Sequence, residues 1–540
     1  MQAALTQLNM SLSSSIRSRL VDSVPTIDWR LYLLTLLGAL AVHIVYKIYV
    51  ALYISPLRRI PGSLLSRITW TRLKTHVAIG KMAYLGKQDY ARYGDIYVCA
   101  PNAVSISNPN DIRLLLNNPT VPKGHFYNIL RFTGIDNTVS TQDMDLANSR
   151  RRQMGPYFNP TYLAKMEKTI MQRGILSVKD KWDRLIAQSS DGVVEVNYSH
   201  DFLFASFDTI GTLIYGRQIK ELQTNDAATA KWIDTTVTYL GMRSMLQLLP
   251  KFPLSLIEWP WDKRYKTLSV YIHESINARR EYLAGLAETD GQFKKPTDLL
   301  QAFIDAEDPE SKVRMSHSQI HGECVLMMLA GADTIAHTVA WTVHLLTLYP
   351  AHYKRAVAEV RSKFAAEHLI SYSECRTQLP FVEACLYESL RLAPVTGGLL
   401  PRMSPKGGVV IQGHFIPEGT MIFVNFASAN HHSSSWERPF QFDPTRFLAD
   451  SELRHNVLTF SSGKRICPGR HLAWWEMLTV LANILKDYDW ELPADLTHLG
   501  PGVLDEHGYP RQMDSQQFIV VKPANVERDC RLVITKRKEN

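Results

Sequence analysis

The stretch that most narrows what this chain can be is Phe460 to Trp475, F-S-S-G-K-R-I-C-P-G-R-H-L-A-W-W. It sets one cysteine, Cys467, between a loop of small residues and a segment whose apolar spacing predicts a helix, Leu472 to Leu485. A sulfur just ahead of a helix start meets the positive end of the peptide dipoles and free backbone N–H groups, which favours its thiolate. Lys464, Arg465 and Arg470 add positive charge around it. Such a cysteine is prepared to be a metal ligand or a nucleophile, although a free cysteine taken alone is more often small core filler.

Phe460, Gly463, Arg465, Cys467 and Gly469 match, at every spacing, the haem-binding loop of the cytochrome P-450 family, the haem-thiolate monooxygenases. The chain resembles that family from about residue 55 to its end. The resemblance implies haem b as cofactor, with Cys467 as the axial thiolate that pushes electron density toward oxygen bound opposite. It also implies a mainly α fold with a minor β region, the cytochrome P450 haem-thiolate fold.

Three further motifs stand in the family's order. Within His317 to Tyr349, which reads as one long helix, Ala330-Gly-Ala-Asp-Thr334 resembles the centre of the distal helix. Gly331 is expected to let the backbone approach a flat macrocycle. Asp333 and Thr334 are expected to deliver protons on the distal side. Glu388 and Arg391, three apart on one helix face, match the family's E-x-x-R, and Arg446 in Phe442-Asp-Pro-Thr-Arg-Phe447 supplies its second arginine. That triad is expected to brace the haem loop as structural support. Arg402, in Leu400-Pro-Arg-Met-Ser-Pro405, matches an arginine that pairs with a haem propionate, a role suited to its bidentate fork. Arg151 is carried over to the same role from Arg150-Arg-Arg152. Ala147 stands where many fungal members have histidine, and a solvated basic face meeting an acidic partner is an equal reading of the three arginines.

Ahead of these motifs, Leu31 to Ile54 is almost wholly apolar and as long as the roughly 20 residues a membrane-crossing helix needs. Lys47, Arg58, Arg59, Arg67, Arg72 and Lys74 crowd its C-terminal side, which predicts a single-pass anchor with the bulk of the protein cytoplasmic. The expected division is a luminal segment over 1–30, a transmembrane anchor over 31–54, a proline hinge over 55–62 and a catalytic domain over 63–540. Asn9-Met-Ser11 would then be a luminal glycosylation acceptor. The Leu-, Trp- and Pro-rich run Leu248 to Tyr265 reads either as a loop dipping into the bilayer or as a packed helix connection. Tyr93 to Val98 and Ala103 to Pro109 predict a hairpin, Gly413 to Asn425 further strands, and Phe518 to Val521 and Leu532 to Ile534 strands in the tail.

The net charge of +8 comes without a Lys/Arg block interleaved with aromatics, which argues against nucleic acid. Six scattered cysteines without C-x-x-C or paired spacing argue against a disulfide framework or a zinc site and for a reducing compartment. By resemblance the partners are NADPH–cytochrome P450 reductase, with cytochrome b5 as a second donor, and an apolar small molecule. The location implied is the endoplasmic reticulum membrane. The sequence resembles fungal members that oxidise terpenoid or polyketide intermediates in secondary metabolism. The alternatives are a haem-thiolate desaturase, cyclase or rearrangement enzyme, a hydrolase using Cys467 with a histidine such as His471, and a silent haem scaffold.

Overall fold

A computed structural model describes residues 29–131, 134–216, 255–288, 295–398 and 400–537. Asn9 and residues 248–254 lie outside them, and from Ser255 the chain is helical to Glu288. By internal packing the chain divides into residues 1–58 and 59–540.

In the first unit, α1 (Trp29–Tyr49) continues as a π-helical turn over Val50–Ile54. No residue of α1 is buried. Twenty-one residues at about 1.5 Å each give about 30 Å, the thickness of a hydrocarbon core, so the helix is long and apolar enough to cross a membrane.

The second unit is mainly helical with small sheets. Four helices frame its functional centre besides α2 (Met144–Met154): α3 (Tyr198–Tyr215), α4 (His317–Leu348), α5 (Pro380–Leu392) and α6 (Arg470–Asp487). Ser316 opens α4 with a capping box, its hydroxyl accepting from Gln319 N while Gln319 Oε1 accepts from Ser316 N at 2.8 Å. The helix is apolar almost all round and largely buried, as a core helix must be. α3, α5 and α6 all pack on it. α3 ends where Gly216 takes a left-handed φ of 63°, a conformation that costs glycine little.

The principal sheet runs β1 (Ile96–Ala100), β2 (Ala103–Ile106), β4 (Met421–Val424) and β3 (Arg402–Met403) in spatial order. β1 and β2 form the expected hairpin, with Asn102 at φ 55° in its turn. β2 pairs parallel to β4, and β3 pairs antiparallel to β4 at the edge. A single bridge joins Lys123 to Arg402 on that edge, flanked by Gly124 N to Pro401 O at 3.0 Å and Met403 N to Pro122 O at 2.9 Å. A second sheet pairs Arg531–Lys536 with Val193–Asn197 and Tyr488–Glu491, so Leu532 to Ile534 is strand. Of Phe518 to Val521, only Val521 is strand. Gln517 pairs with Val521, and residues 518–520 make the bend that lets the two short strands run antiparallel.

Candidate active site

The loop before α6 is held in its path by backbone geometry. Ser461 and Gly463 have φ of 65° and 68°. A Cβ on Gly463 would stand 2.5 Å from Asn117 Oδ1 and 2.7 Å from the Leu116 carbonyl, so only glycine fits against that helix end. Cys467 N donates to Phe460 O at 2.9 Å, closing the loop, and the Phe460 ring lies 6.4 Å from that of Trp474 on α6. Five cysteines are buried, and Cys467 alone is partly accessible.

Enclosure by the loop pushes the Cys467 thiol upward, and the Gly469 N–H, Arg151 and Arg470 only partly offset it.

Cations gather beside this loop. Arg151, on the last turn of α2, donates to the Ile466 carbonyl. Its neighbours diverge: Arg150 is buried on Gln153 at 2.6 Å and 3.7 Å from Glu323, while Arg152 forks onto Asp308 with two bonds of 2.8 Å. The three therefore do not form a solvated basic face, because internal carboxylates take two of them. Arg465 touches Asp143 O at 3.4 Å and Met144 Sδ at 3.2 Å, and its Nη1 is buried with no acceptor among the described residues. Burial, then Arg402 and Arg151, push the Arg465 guanidinium down to about 10. Arg402 is buried, with Nη1 3.2 Å from the Tyr127 hydroxyl.

On mid-α4 the residues that escape burial are Met327, Ala330, Gly331 and Thr334, spaced i, i+3, i+4 and i+7 on one face. Thr334 Oγ1 donates to Ala330 O at 2.8 Å, which leaves its lone pairs to accept. Asp333, one position off that face, is buried. A Cβ on Gly331 would come within 3.1 Å of Ile210 Cδ1, so this glycine lets α3 pack closely against α4.

Behind the loop, Glu388 takes Arg391 Nε at 2.7 Å and Nη2 at 2.8 Å, and Arg446 Nε at 3.1 Å. Arg391 Nη1 also donates to Asn430 O at 3.1 Å, and Asn430 Oδ1 accepts from Leu458 N at 3.2 Å. Thr459 Oγ1 donates to Leu390 O at 2.7 Å. These bonds run from α5 to the two residues before Phe460.

The sequence profile of the cytochrome P450 family matches residues 78–499. The chain belongs to the cytochrome P450 family. It is 44% identical to cytochrome P450 monooxygenase helB1 of Aspergillus fumigatus over 91% of this chain and 84% of that protein. It is also 44% identical to helB2 (91% and 97% covered) and 37% identical to helB3 (93% and 98% covered) of the same fungus. A crystal structure of the cytochrome P450DA heme domain superposes with a TM-score of 0.71 over 86% of this chain and 95% of that one, at 18% identity, a likeness of fold. This P450 is therefore a monooxygenase of a family that uses haem b ligated by a cysteine thiolate and draws electrons from a partner reductase.

The site of this P450 contains one cation that the sequence pattern missed. Lys123 Nζ donates to Val139 O at 2.6 Å and lies 4.6 Å from the centre of the Tyr127 ring. Burial, then Arg465, Arg402 and Arg151, push its ammonium well down, and Glu323 opposes them. Four mutually repelling cations with an orphaned guanidinium N–H fit a dianionic group, such as the two propionates of haem. Lys123 sits in V-P-K-G-H, which carries no pattern; only its bridge to Arg402 could have marked it.

Proposed function

We propose that this chain is a membrane-anchored haem-thiolate monooxygenase that inserts one atom of O2 into an apolar small molecule, a fungal terpenoid or polyketide intermediate. The observation that carries this reading is the cation wall beside the one partly accessible cysteine, with Arg465 Nη1 buried and unpartnered. Haem, when bound, supplies the oxygen and radical chemistry.

The rest is the work of the chain. Cys467 Sγ is the metal ligand, and the Gly469 N–H stabilises its charge. Arg465, Arg402 and Arg151, with Lys123, hold the propionates. Glu388, Arg391 and Arg446 keep the loop rigid through Asn430 and Leu458. On the opposite wall Thr334 Oγ1 accepts a hydrogen bond and passes a proton on, while Asp333 replenishes it from the buried side of α4. The Ala330–Thr334 face offers the substrate an open helix surface. α1 supports an anchor in the endoplasmic reticulum membrane with the body cytoplasmic, where NADPH–cytochrome P450 reductase and cytochrome b5 can reach it.

The test is the reduced, carbon-monoxide-bound spectrum of the membrane-expressed protein. The red-shifted Soret band of thiolate ligation is expected in the wild type and absent in Cys467→Ser. An unshifted wild-type band would overturn the assignment.

A further inference from the structure

Glu323 stands on α4 about three turns ahead of Thr334 and is wholly buried. A buried carboxylate beside a buried guanidinium ordinarily takes its fork. This one does not. Arg150 Nε stays at 3.7 Å, an ion pair without a hydrogen bond. Arg150 Nε and Nη2 and Glu323 Oε2 are all buried with no hydrogen-bond partner among the described residues. Glu323 Oε1 instead accepts twice from Thr138, from the backbone N–H at 2.8 Å and from Oγ1 at 3.0 Å. Burial pushes the carboxyl up to about 7, while Thr138, Arg150 and Lys123 pull against that rise.

Thr138 opens a turn over 138–140 that belongs to no helix or sheet. Asn137 Oδ1 accepts from Val139 N at 3.0 Å and from Ser140 N at 2.8 Å, which satisfies the donors inside it. The carbonyls of Thr138 and Val139 face one cation, for Lys123 Nζ donates to Val139 O at 2.6 Å and to Thr138 O at 3.5 Å. Glu323 and Lys123 thus grip opposite polar ends of one short stretch of backbone. Lys123 is in turn bridged to Arg402, on the same wall. An irregular turn fixes a cation only as well as it is itself fixed, and Glu323 ties this one to a helix buried almost all round.

We propose that Glu323 is a positioning residue for the propionate wall: through the Thr138 turn it sets where Lys123 stands, and so how firmly haem is held and how readily its iron is reduced. The inference rests on the monooxygenase reading, which puts the propionates beside Lys123. Glu323 itself touches no reacting atom.

The midpoint potential of the haem iron in the holoenzyme tests this, because charge and grip act on it with opposite signs. Loss of a buried anion acting by its charge alone raises the potential, whereas loss of the grip on Lys123 lets a cation leave the haem and lowers it. Glu323→Leu is expected to lower the potential, as Lys123→Met does. It should also speed haem release to an apo-globin acceptor by about fivefold, the worth of one buried hydrogen bond. In the Lys123→Met background the same change should leave release nearly unaltered, since its effect passes through that lysine. Glu323→Gln keeps an oxygen for Thr138 and should hold haem as the wild type does. If Glu323→Leu does not fold, Thr138→Val, which removes the Oγ1 donor alone, is expected to shift potential and release in the same directions by less. A raised potential in the variant measured, or release that quickens equally with and without Lys123, would overturn the proposal. A wild type without the thiolate band of the carbon-monoxide spectrum would sink the monooxygenase reading, while a potential of the wrong sign with that band intact would sink this one alone.

Discussion

Glu388 and Arg391 form a two-pronged ion pair in which neither side chain is exposed at all. Glu388 also accepts from Arg446 and from Asp443 N, while Arg391 reaches the carbonyls of Asn430, Pro439 and Gln441. Removing one partner strands a buried charge, a loss of about 3–5 kcal/mol. Arg391→Leu and Glu388→Leu are each expected to lower the unfolding midpoint and the yield of haem-loaded protein. Arg391→Lys should not rescue, because an ammonium cannot make the fork. Thermal unfolding and the haem content of purified protein check this.

Gly463→Ala meets two obstacles, a left-handed φ and the Leu116 carbonyl 2.7 Å from the new Cβ. A strained position of this kind costs about 1–3 kcal/mol, and a backbone obstacle adds to it. The loop should shift, with haem retention falling before global stability does. A haem-release assay with an apo-globin acceptor should show release at least several-fold faster than wild type.

Thr334→Ala removes the hydroxyl on the open face of α4 and leaves the helix itself intact. NADPH consumption is expected to continue while product falls and hydrogen peroxide rises, since protons then arrive out of step with electrons. Thr334→Ser should restore much of the coupling. Unchanged product per NADPH in Thr334→Ala would exclude the relay.

Glu476, buried in α6 on a single bond of 2.7 Å from Ser206, is pushed by burial up to about 8. Its carboxyl is raised above the ordinary 4.5, so the folded protein holds a proton that the unfolded chain has already released. Its contribution to stability therefore falls as pH rises from about 4.5 to about 8. Glu476→Gln should flatten that decline and be the more stable form at pH 8. Denaturation midpoints of both proteins at pH 5.5 and pH 8 settle the sign.

The loop, the triad and the long helix were legible because each is carried by a few residues close together in sequence. Phe460 to Gly469 forms its turn locally, and Glu388 and Arg391 share one turn of helix. What stayed hidden depends on tertiary contact. R-R-R at 150–152 looks uniform until Gln153 and Glu323 claim the first arginine and Asp308 the third. That Gly331 also lets Ile210 of α3 come close could not be read from its own neighbours in sequence. The β-branched run at Phe518 suggested a strand, but the partner of Gln517 is Val521, and what lies between must turn. Lys123 was invisible because its neighbours come from the other end of the chain.

Arg151 and the Ile466 carbonyl that it holds are 315 residues apart in sequence. Lys123 and Arg402 are bridged across a comparable distance, so both walls of the cation cluster are shared between the two ends of the body. On a ribosome, a nascent chain that has not yet released Cys467 and α6 has neither the thiol nor the arginines in place. A cation cluster and ligand assembled from both ends of the body can hold the cofactor only once the chain has been made past α6. A C-terminal truncation that removes Cys467 would leave most of the body in place but without the ligand.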